Sequence, residues 1–258
     1  MFVAINDAEE RVFASKSLPK DGKYSCPVCG GQVRLRAGDI NAPHFAHIEP
    51  CTDDFTHDMS DWHRAWQELF PLNNREVVIS HNGETHRADV RCYGTVIEFQ
   101  HSPISEAEFM KRNRFYTSAG LQVVWIFDLI DVYGSGRMWC EYEWRDTGDN
   151  GGVFRWNYPW RFLSNVLPQE EKNIHIFFQL TPFGSDPKSP DEVAYMEKVC
   201  WVNPYYKTMW GAFRTSYSVC NYAELLEWLK MRSEKRAREA QNMSKDFHQG
   251  RRGAEIGS

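Results

Sequence analysis

Hydrophobic and polar positions along the 258-residue chain follow two periods, and the change of period divides it. From Asp61 onward, Trp62, Ala65, Trp66, Leu69 and Phe70 recur at helical spacing, which predicts an amphipathic helix ended by Pro71. Three stretches with strand character follow, at Glu76–Ser80, Thr85–Cys92 and Thr95–Gln100. Ser105 with Glu108 forms a capping box that opens a helix to about Ser118, and Gly120 suits its stop. The continuous apolar run Val123-Val124-Trp125-Ile126-Phe127 predicts a buried strand. Helix, three strands, helix and strand in that order make an α/β core.

The flanking segments read differently. Residues 1–58 are rich in turns and short strands and are expected to form a small β domain ahead of a core over 59–145. Residues 146–240 are expected to form an α+β region, and the polar, aperiodic residues 241–258 a disordered tail. Within the α+β region, 146–152 and Pro182–Pro190 read as loops and Ile174–Leu180 as a strand. Asn221 with Glu224 caps a helix through Leu225, Leu226, Trp228 and Leu229. The aromatics Trp201, Tyr205, Tyr206, Trp210 and Phe213 read as core rather than as a stacking surface.

Composition narrows the setting. No apolar run approaches a membrane span, and acidic residues follow the start too soon for a signal peptide. Seven cysteines, an odd number including one Cys-x-x-Cys, fit a reducing compartment, so a cytoplasmic protein without a membrane partner is expected. Net charge is −5, so any nucleic acid must be held by local basic patches against the overall field.

Two carboxylates carry the candidate chemistry. If Tyr93-Gly94 is a two-residue hairpin turn, Val90 meets Ile97 and Ala88 meets Phe99 on an apolar face. On the other face Asp89 lands opposite Glu98, and Arg87 opposite Gln100. Like charges directly opposite destabilise a sheet, so something must offset them: Arg87 or Arg91, a shared proton, or a divalent cation. Mg²⁺ suits such a pair, and a metal-activated water beside a phosphodiester makes a hydrolysis site. An arginine-neutralised pair on an ordinary hairpin satisfies the same geometry, and spacing alone leaves both readings open. On the first helix His63 and Gln67 lie one turn apart beside the apolar stripe, placed either to face this site or to sit in the core.

A second cluster lies upstream. Cys26-Pro27-Val28-Cys29-Gly30-Gly31 is half of a zinc knuckle, and His44, His47 and Cys51 are the candidates for its completion. Tetrahedral zinc takes four ligands. The expected set is Cys26, Cys29, His47 and Cys51, with His44 as the alternative; in a strand His44 and His47 point to opposite faces, so one of the two is excluded. With every position filled by protein, the zinc would be structural.

Asp89, a short turn and then Glu98-Phe99-Gln100 resemble the PD-(D/E)xK nuclease core, with Gln100 in the lysine position. More narrowly, several strings over about residues 20–130 resemble the CoiA-like competence-protein family. They are His44-Phe45-Ala46-His47, Ser60–Trp66, His86–Val90, Ile97–Ser105, Arg112 with Tyr116, and Val124-Trp125-Ile126. The resemblance implies a restriction-endonuclease-like mixed sheet flanked by helices, behind a zinc-binding β domain and ahead of an α+β region. It implies Mg²⁺ or Mn²⁺ held by Asp89, Glu98 and the backbone carbonyl of Phe99, with Gln100 orienting the attacking water or steadying the phosphate and His63 beside the site. Glutamine lacks the charge of lysine, so Arg87, Lys111 or Arg112 would have to supply it. Lys111, Arg112 and Tyr116 would meet nucleic acid, gripping a phosphate and stacking on a base.

The function implied is a metal-dependent nuclease acting on DNA during uptake, recombination, repair or defence. The rival readings are a nucleic-acid-binding or recombination-assisting module whose site has decayed, and a scaffold that binds another protein through its C-terminal region. A homo-oligomer is compatible with each.

Overall fold

The computed structural model describes residues 1–39, 42–50, 60–143, 173–180, 225–239 and 242, with the backbone alone for 140–143, 151–156, 199–202, 213–216 and 219–220. The first five strands are short: β1 (Val3–Asn6), β2 (Arg11–Phe13), β3 (Tyr24–Ser25), β4 (Gln32–Arg36) and β5 (His44–His47). They pair antiparallel in the order β2-β1-β3-β4-β5. Strand β4 shows why a sheet forms here: Val33 and Leu35 point inward while Gln32, Arg34 and Arg36 face solvent. The inward residues close a small core with Ala4, Tyr24, Cys26 and Phe45, in which the Tyr24 and Phe45 rings lie 4.9 Å apart.

The second unit begins with helix α1 (Asp61–Glu68), whose first turn is capped by Ser60 Oγ accepting from His63 N at 3.2 Å. Strands β6 (Arg75–His81), β7 (Glu84–Cys92) and β8 (Thr95–Gln100) then form an antiparallel meander. Helix α2 (Glu106–Ser118) starts at the expected cap, with Ser105 Oγ accepting from Glu108 N, and stops before Gly120 at φ +76°. It returns the chain to β9 (Gln122–Asp128), parallel to β8. After α3 (Ile130–Gly134), β10 (Met138–Glu143) and β11 (Gly151–Trp156), strand β12 (Ile174–Gln179) joins the other side of β9 in parallel. Strands β13 (Val199–Val202), β14 (Phe213–Ser216) and β15 (Val219–Cys220) and a helix α4 (225–239) follow.

Among the described residues the central sheet runs β15-β13-β12-β9-β8-β7-β6, and β10, β11 and β14 make a separate three-stranded sheet. Gly151 and Gly152, expected in a loop, pair with Glu143 and Tyr142, because cross-strand partners outweigh the poor strand propensity of glycine. Residues 144–150, 182–190, 221–224, 241 and 243–258, and the side chains of Trp201, Tyr205, Tyr206, Trp210 and Phe213, lie outside the described residues. No helix among the described residues is long and apolar enough to cross a membrane.

Helices cover both faces of the central sheet, which explains the unbroken apolar run of β9. Val123, Trp125 and Phe127 pack with Phe109, Phe115 and Tyr116 of α2. Val124 and Ile126 pack on the opposite side with Trp66 of α1 and Leu225 and Leu229 of α4. Each such side chain, fully buried, contributes about 1.5–3 kcal/mol.

The hairpin between β7 and β8 takes the predicted register. Tyr93 and Gly94 have φ of 48° and 71°, as a type I′ turn requires, and Cys92, Arg91 and Val90 pair with Thr95, Val96 and Ile97. Then the ladder stops. On the other side the register passes from Arg75↔Val90 to Val77↔Ala88 without pairing Asp89, and Glu76 there has φ +46°. Face alternation breaks at the same point. Ala88 packs in the α2-side core, whereas Val90 and Cys92 pack on the α1 side, so the three do not share the face their spacing predicts. The cause is local: side chains take over the backbone bonds around Asp89.

Candidate active site

Asp89 sits where β7 leaves the ladder, and its surroundings replace the missing strand partner. Its Oδ2 accepts the backbone N–H of Phe99 at 2.8 Å, and its carbonyl accepts from Gln67 Nε2 at 3.3 Å. Its Oδ1 lies 3.1 Å from His63 Nε2, which is also 3.1 Å from the Gln67 amide. His63 and Gln67, one helical turn apart on α1, therefore both face Asp89. Glu98 approaches from β8 with its side chain toward α2. Tyr116 Oη donates to its Oε1 at 2.8 Å and Arg112 Nη1 to its Oε2 at 3.0 Å. Arg112 is held in turn by Glu108, through Nε to Oε1 at 2.8 Å.

Apart from Glu108, these groups are buried: Asp89 is 2% exposed, Glu98 and His63 0%, and Arg112 2%. Burial and the neighbouring charge of Asp89 push Glu98 up to about 8, against the opposing pull of Arg112 and Tyr116. His63 is drawn down by burial, but the charge and hydrogen bond of Asp89, with Glu76 and Glu98 behind them, outweigh it and leave His63 raised. Asp89 and Glu98 are the residues of this centre that could hold a divalent cation. Two carboxylates meet what Mg²⁺ commonly asks of a protein.

The other predicted site residues spread out from this centre. Gln100 turns its amide to the carbonyl of Ser102. Arg87 is buried between Glu76, at 3.6 Å, and the sulfur of Met1. Lys111 is half-buried on α2. Phe99 is buried, its ring stacked on Trp66 at 5.5 Å, and its N–H is the group that meets Asp89. Arg112 and Tyr116, expected to meet nucleic acid, bind Glu98 instead. Helical spacing put them on one face but could not say which way that face turns. Sequence reasoning missed Glu76, whose buried carboxylate accepts the N–H groups of Phe2 at 2.7 Å and Val3 at 3.0 Å. Nothing in a single acidic residue of a strand pattern signals that role.

The N-terminal cluster forms around a tight turn. Cys26 N donates to Gly31 O and Gly30 N to Cys26 O, with Gly30 at φ +69°. Val28 N and Gly31 N point at the sulfurs of Cys26 and Cys29, at 3.4 and 3.3 Å. A Cβ at Gly31 would stand 3.1 Å from Cys29 Sγ, so the position has little room for a side chain. His47 Nε2 lies 3.6 Å from Cys29 Sγ, and the ligand atoms of Cys26, Cys29 and His47 all fall within 4.8 Å of one another. Among the described residues these three are the cysteine and histidine side chains drawn together closely enough to share a metal ion. His44 pairs with Arg36, three positions along β5 from His47, and its Nδ1 bonds to Ala42 O. Cys51 lies outside the described residues.

Fold and sites together define a class: an α/β protein with a buried acidic centre in a helix-covered mixed sheet, preceded by a small sheet able to bind a metal through cysteine and histidine. Residues 9–52 match the family model described as competence protein CoiA, N-terminal domain. Residues 84–143 match competence protein CoiA, nuclease-like domain. With both models matched, the chain matches the CoiA-like competence-protein family, and its core is nuclease-like. No curated protein and no solved structure matches the chain.

Proposed function

We propose that the protein is a PD-(D/E)xK-type nuclease that hydrolyses DNA phosphodiester bonds with Mg²⁺ or Mn²⁺, in uptake, recombination, repair or defence. The observation that carries this reading is that Asp89 and Glu98, on adjacent strands just past the last ladder pair Val90↔Ile97, lie close enough for the charge of Asp89 to raise Glu98. Asp89, Glu98 and the carbonyl of Phe99 would hold the metal, which when bound activates water and offsets charge on the phosphate. His63 fixes the rotamer of Asp89. Tyr116 and Arg112 fix that of Glu98, and the guanidinium of Arg112 supplies the positive charge that Gln100 lacks. Gln100, released from Ser102, would orient the water. Cys26, Cys29 and His47, with Cys51 as fourth ligand, would hold a structural zinc.

A second reading rests on the burial of the same groups. With the carboxylates 0–2% exposed and both oxygens of Glu98 engaged, the core would serve as a nucleic-acid-binding module whose site no longer turns over. One experiment separates the two. The protein is incubated with labelled linear, single-stranded and branched DNA, and with RNA, in Mg²⁺, Mn²⁺ or EDTA, beside Asp89→Ala and Glu98→Ala. Cleavage that requires metal and vanishes in both variants establishes the nuclease; binding without cleavage of any substrate establishes the module.

A further inference from the structure

Strands β8, β9 and β12 run parallel, so Gln100, Asp128 and Gln179 end on one edge of the sheet. Open α/β sheets bind ligands outside this carboxyl edge. Two aromatic side chains lie there. His101, directly after β8, has its Nδ1 bonded to Asp128 Oδ2 at 2.7 Å, and its side chain is 43% exposed. Trp62, in the first turn of α1, is partly exposed, and its Nε1 donates to the fully buried Gln179 at 2.7 Å. The two rings lie 5.9 Å apart at an interplanar angle of 34°. The other oxygen of Asp128 caps the N–H of Ile130, which fixes that carboxylate as well.

We propose that Trp62 and His101 form a stacking platform for an unpaired base of the DNA strand entering the carboxylate centre, which makes single-stranded or frayed DNA the substrate class. The proposal rests on the nuclease reading of that centre. The nearby core uses Trp66 and Phe99, stacked at 5.5 Å and buried. Trp62 and His101 lie further out, each bolted by its ring nitrogen to a polar partner on the sheet. A ring held rigid and left partly open offers stacking area at little entropic cost. Bases inside a duplex are already stacked on both faces, so a platform of this kind selects an unpaired one. His101 follows Glu98 by three residues, about 10 Å of strand. That span corresponds to about three nucleotide steps in a stacked strand.

The test is a binding measurement in EDTA, where hydrolysis plays no part. Fluorescence anisotropy compares a labelled oligothymidylate with an abasic oligonucleotide of the same length and charge, so that backbone electrostatics cancel. The full chain is expected to bind the base-bearing strand about ten-fold more tightly than the abasic one. His101→Ala and Trp62→Leu should each shrink that ratio, while Trp62→Phe keeps most of it. His101→Ala is the deciding variant, because Trp62 also packs against the core. Equal affinity of the unaltered protein for both strands overturns the proposal, as does a loss in the variants that falls equally on both. Base-dependent binding without metal-dependent cleavage leaves the platform standing and removes the catalytic reading; the reverse pattern does the opposite.

Discussion

Replacing Arg112 with methionine probes the acidic centre through stability alone. In the fold the guanidinium is 2% exposed and bonded to Glu98 at 3.0 Å and Glu108 at 2.8 Å. Methionine keeps part of the packing against Trp125, whose ring centroid lies 6.0 Å from the guanidinium carbon. The loss is therefore mainly electrostatic. The side chain of Glu108 is 26% exposed, so water replaces its partner at small cost. Glu98 is 0% exposed, with the charge of Asp89 nearby, and of its two donors among the described residues keeps only the Tyr116 hydroxyl. Removing one member of a buried ion pair costs about 3–5 kcal/mol, and because Glu98, already raised to about 8, takes up a proton once Arg112 is gone, the lower end of that range applies. For a chain of this size that lowers Tm by about 10 °C.

The double variant Arg112→Met with Glu98→Gln removes both charges and leaves an amide that still accepts from Tyr116. It should recover most of the loss, because replacing both partners of a buried pair is often neutral or stabilising. Urea unfolding of the four proteins in the presence of EDTA closes the cycle. An Arg112→Met cost below about 1 kcal/mol would show that the pair is not buried in solution. A double variant as unstable as the sum of the singles would refute the coupling on which the account of Glu98 rests.

Three further outcomes are expected. Purified protein should carry one zinc per chain by elemental analysis, and Cys29→Ser should release it and lower Tm; a metal-free protein unmoved by added zinc would refute the site. His175 is buried beside Trp228, and burial and then Arg232 push it down from 6.5 to about 3. It folds neutral while the unfolded chain takes up a proton, so this contribution is full above pH 6.5 and is lost as pH falls toward 3. His175→Phe should narrow the stability difference between pH 7 and pH 5 by about 2 kcal/mol, and an unchanged difference would contradict the buried neutral state. Gly94→Ala at φ +71° meets no atom within 4 Å, so its cost should be the backbone term of about 1–2 kcal/mol, read by urea unfolding; no cost would contradict the turn.

Much of this fold was legible because local signals agreed with one another. Ser105 with Glu108, the Tyr93-Gly94 turn and the apolar run at Val123–Phe127 each appear as predicted, and the register from Val90 to Cys92 follows from turn length. Cys26, Cys29 and His47 were legible for a similar reason: ligand type and spacing are properties of a few neighbouring residues. What could not be read depends on distant contacts. The period of α2 puts Arg112 and Tyr116 on one face, but only the parallel return of β9 turns that face toward Glu98. Gln179 and Asp128 acquire their partners across 117 and 27 residues.

The error at Ala88 is more instructive, because alternation failed where the chemistry lies. A regular ladder would bury the carboxylate of Asp89 on one face and spend its backbone groups on neighbouring strands. Instead Gln67 takes its carbonyl and Phe99 N–H binds its side chain. Across the sheet, the left-handed backbone of Glu76 accompanies a carboxylate turned to the N–H groups of Phe2 and Val3. A non-glycine residue in that conformation costs about 1–3 kcal/mol and persists only where its surroundings determine it. Glu76 has several such determinants, among them two N–H groups from β1 and its flank, Arg11 donating to the carbonyls of Arg75 and Glu76, and Arg87 at 3.6 Å. The contacts that dock the N-terminal sheet thus stand beside the ladder break from which Asp89 reaches Phe99. Docking and site geometry share one irregularity, so a variant such as Glu76→Ala, which loosens the first, should disturb the second without touching a single predicted ligand.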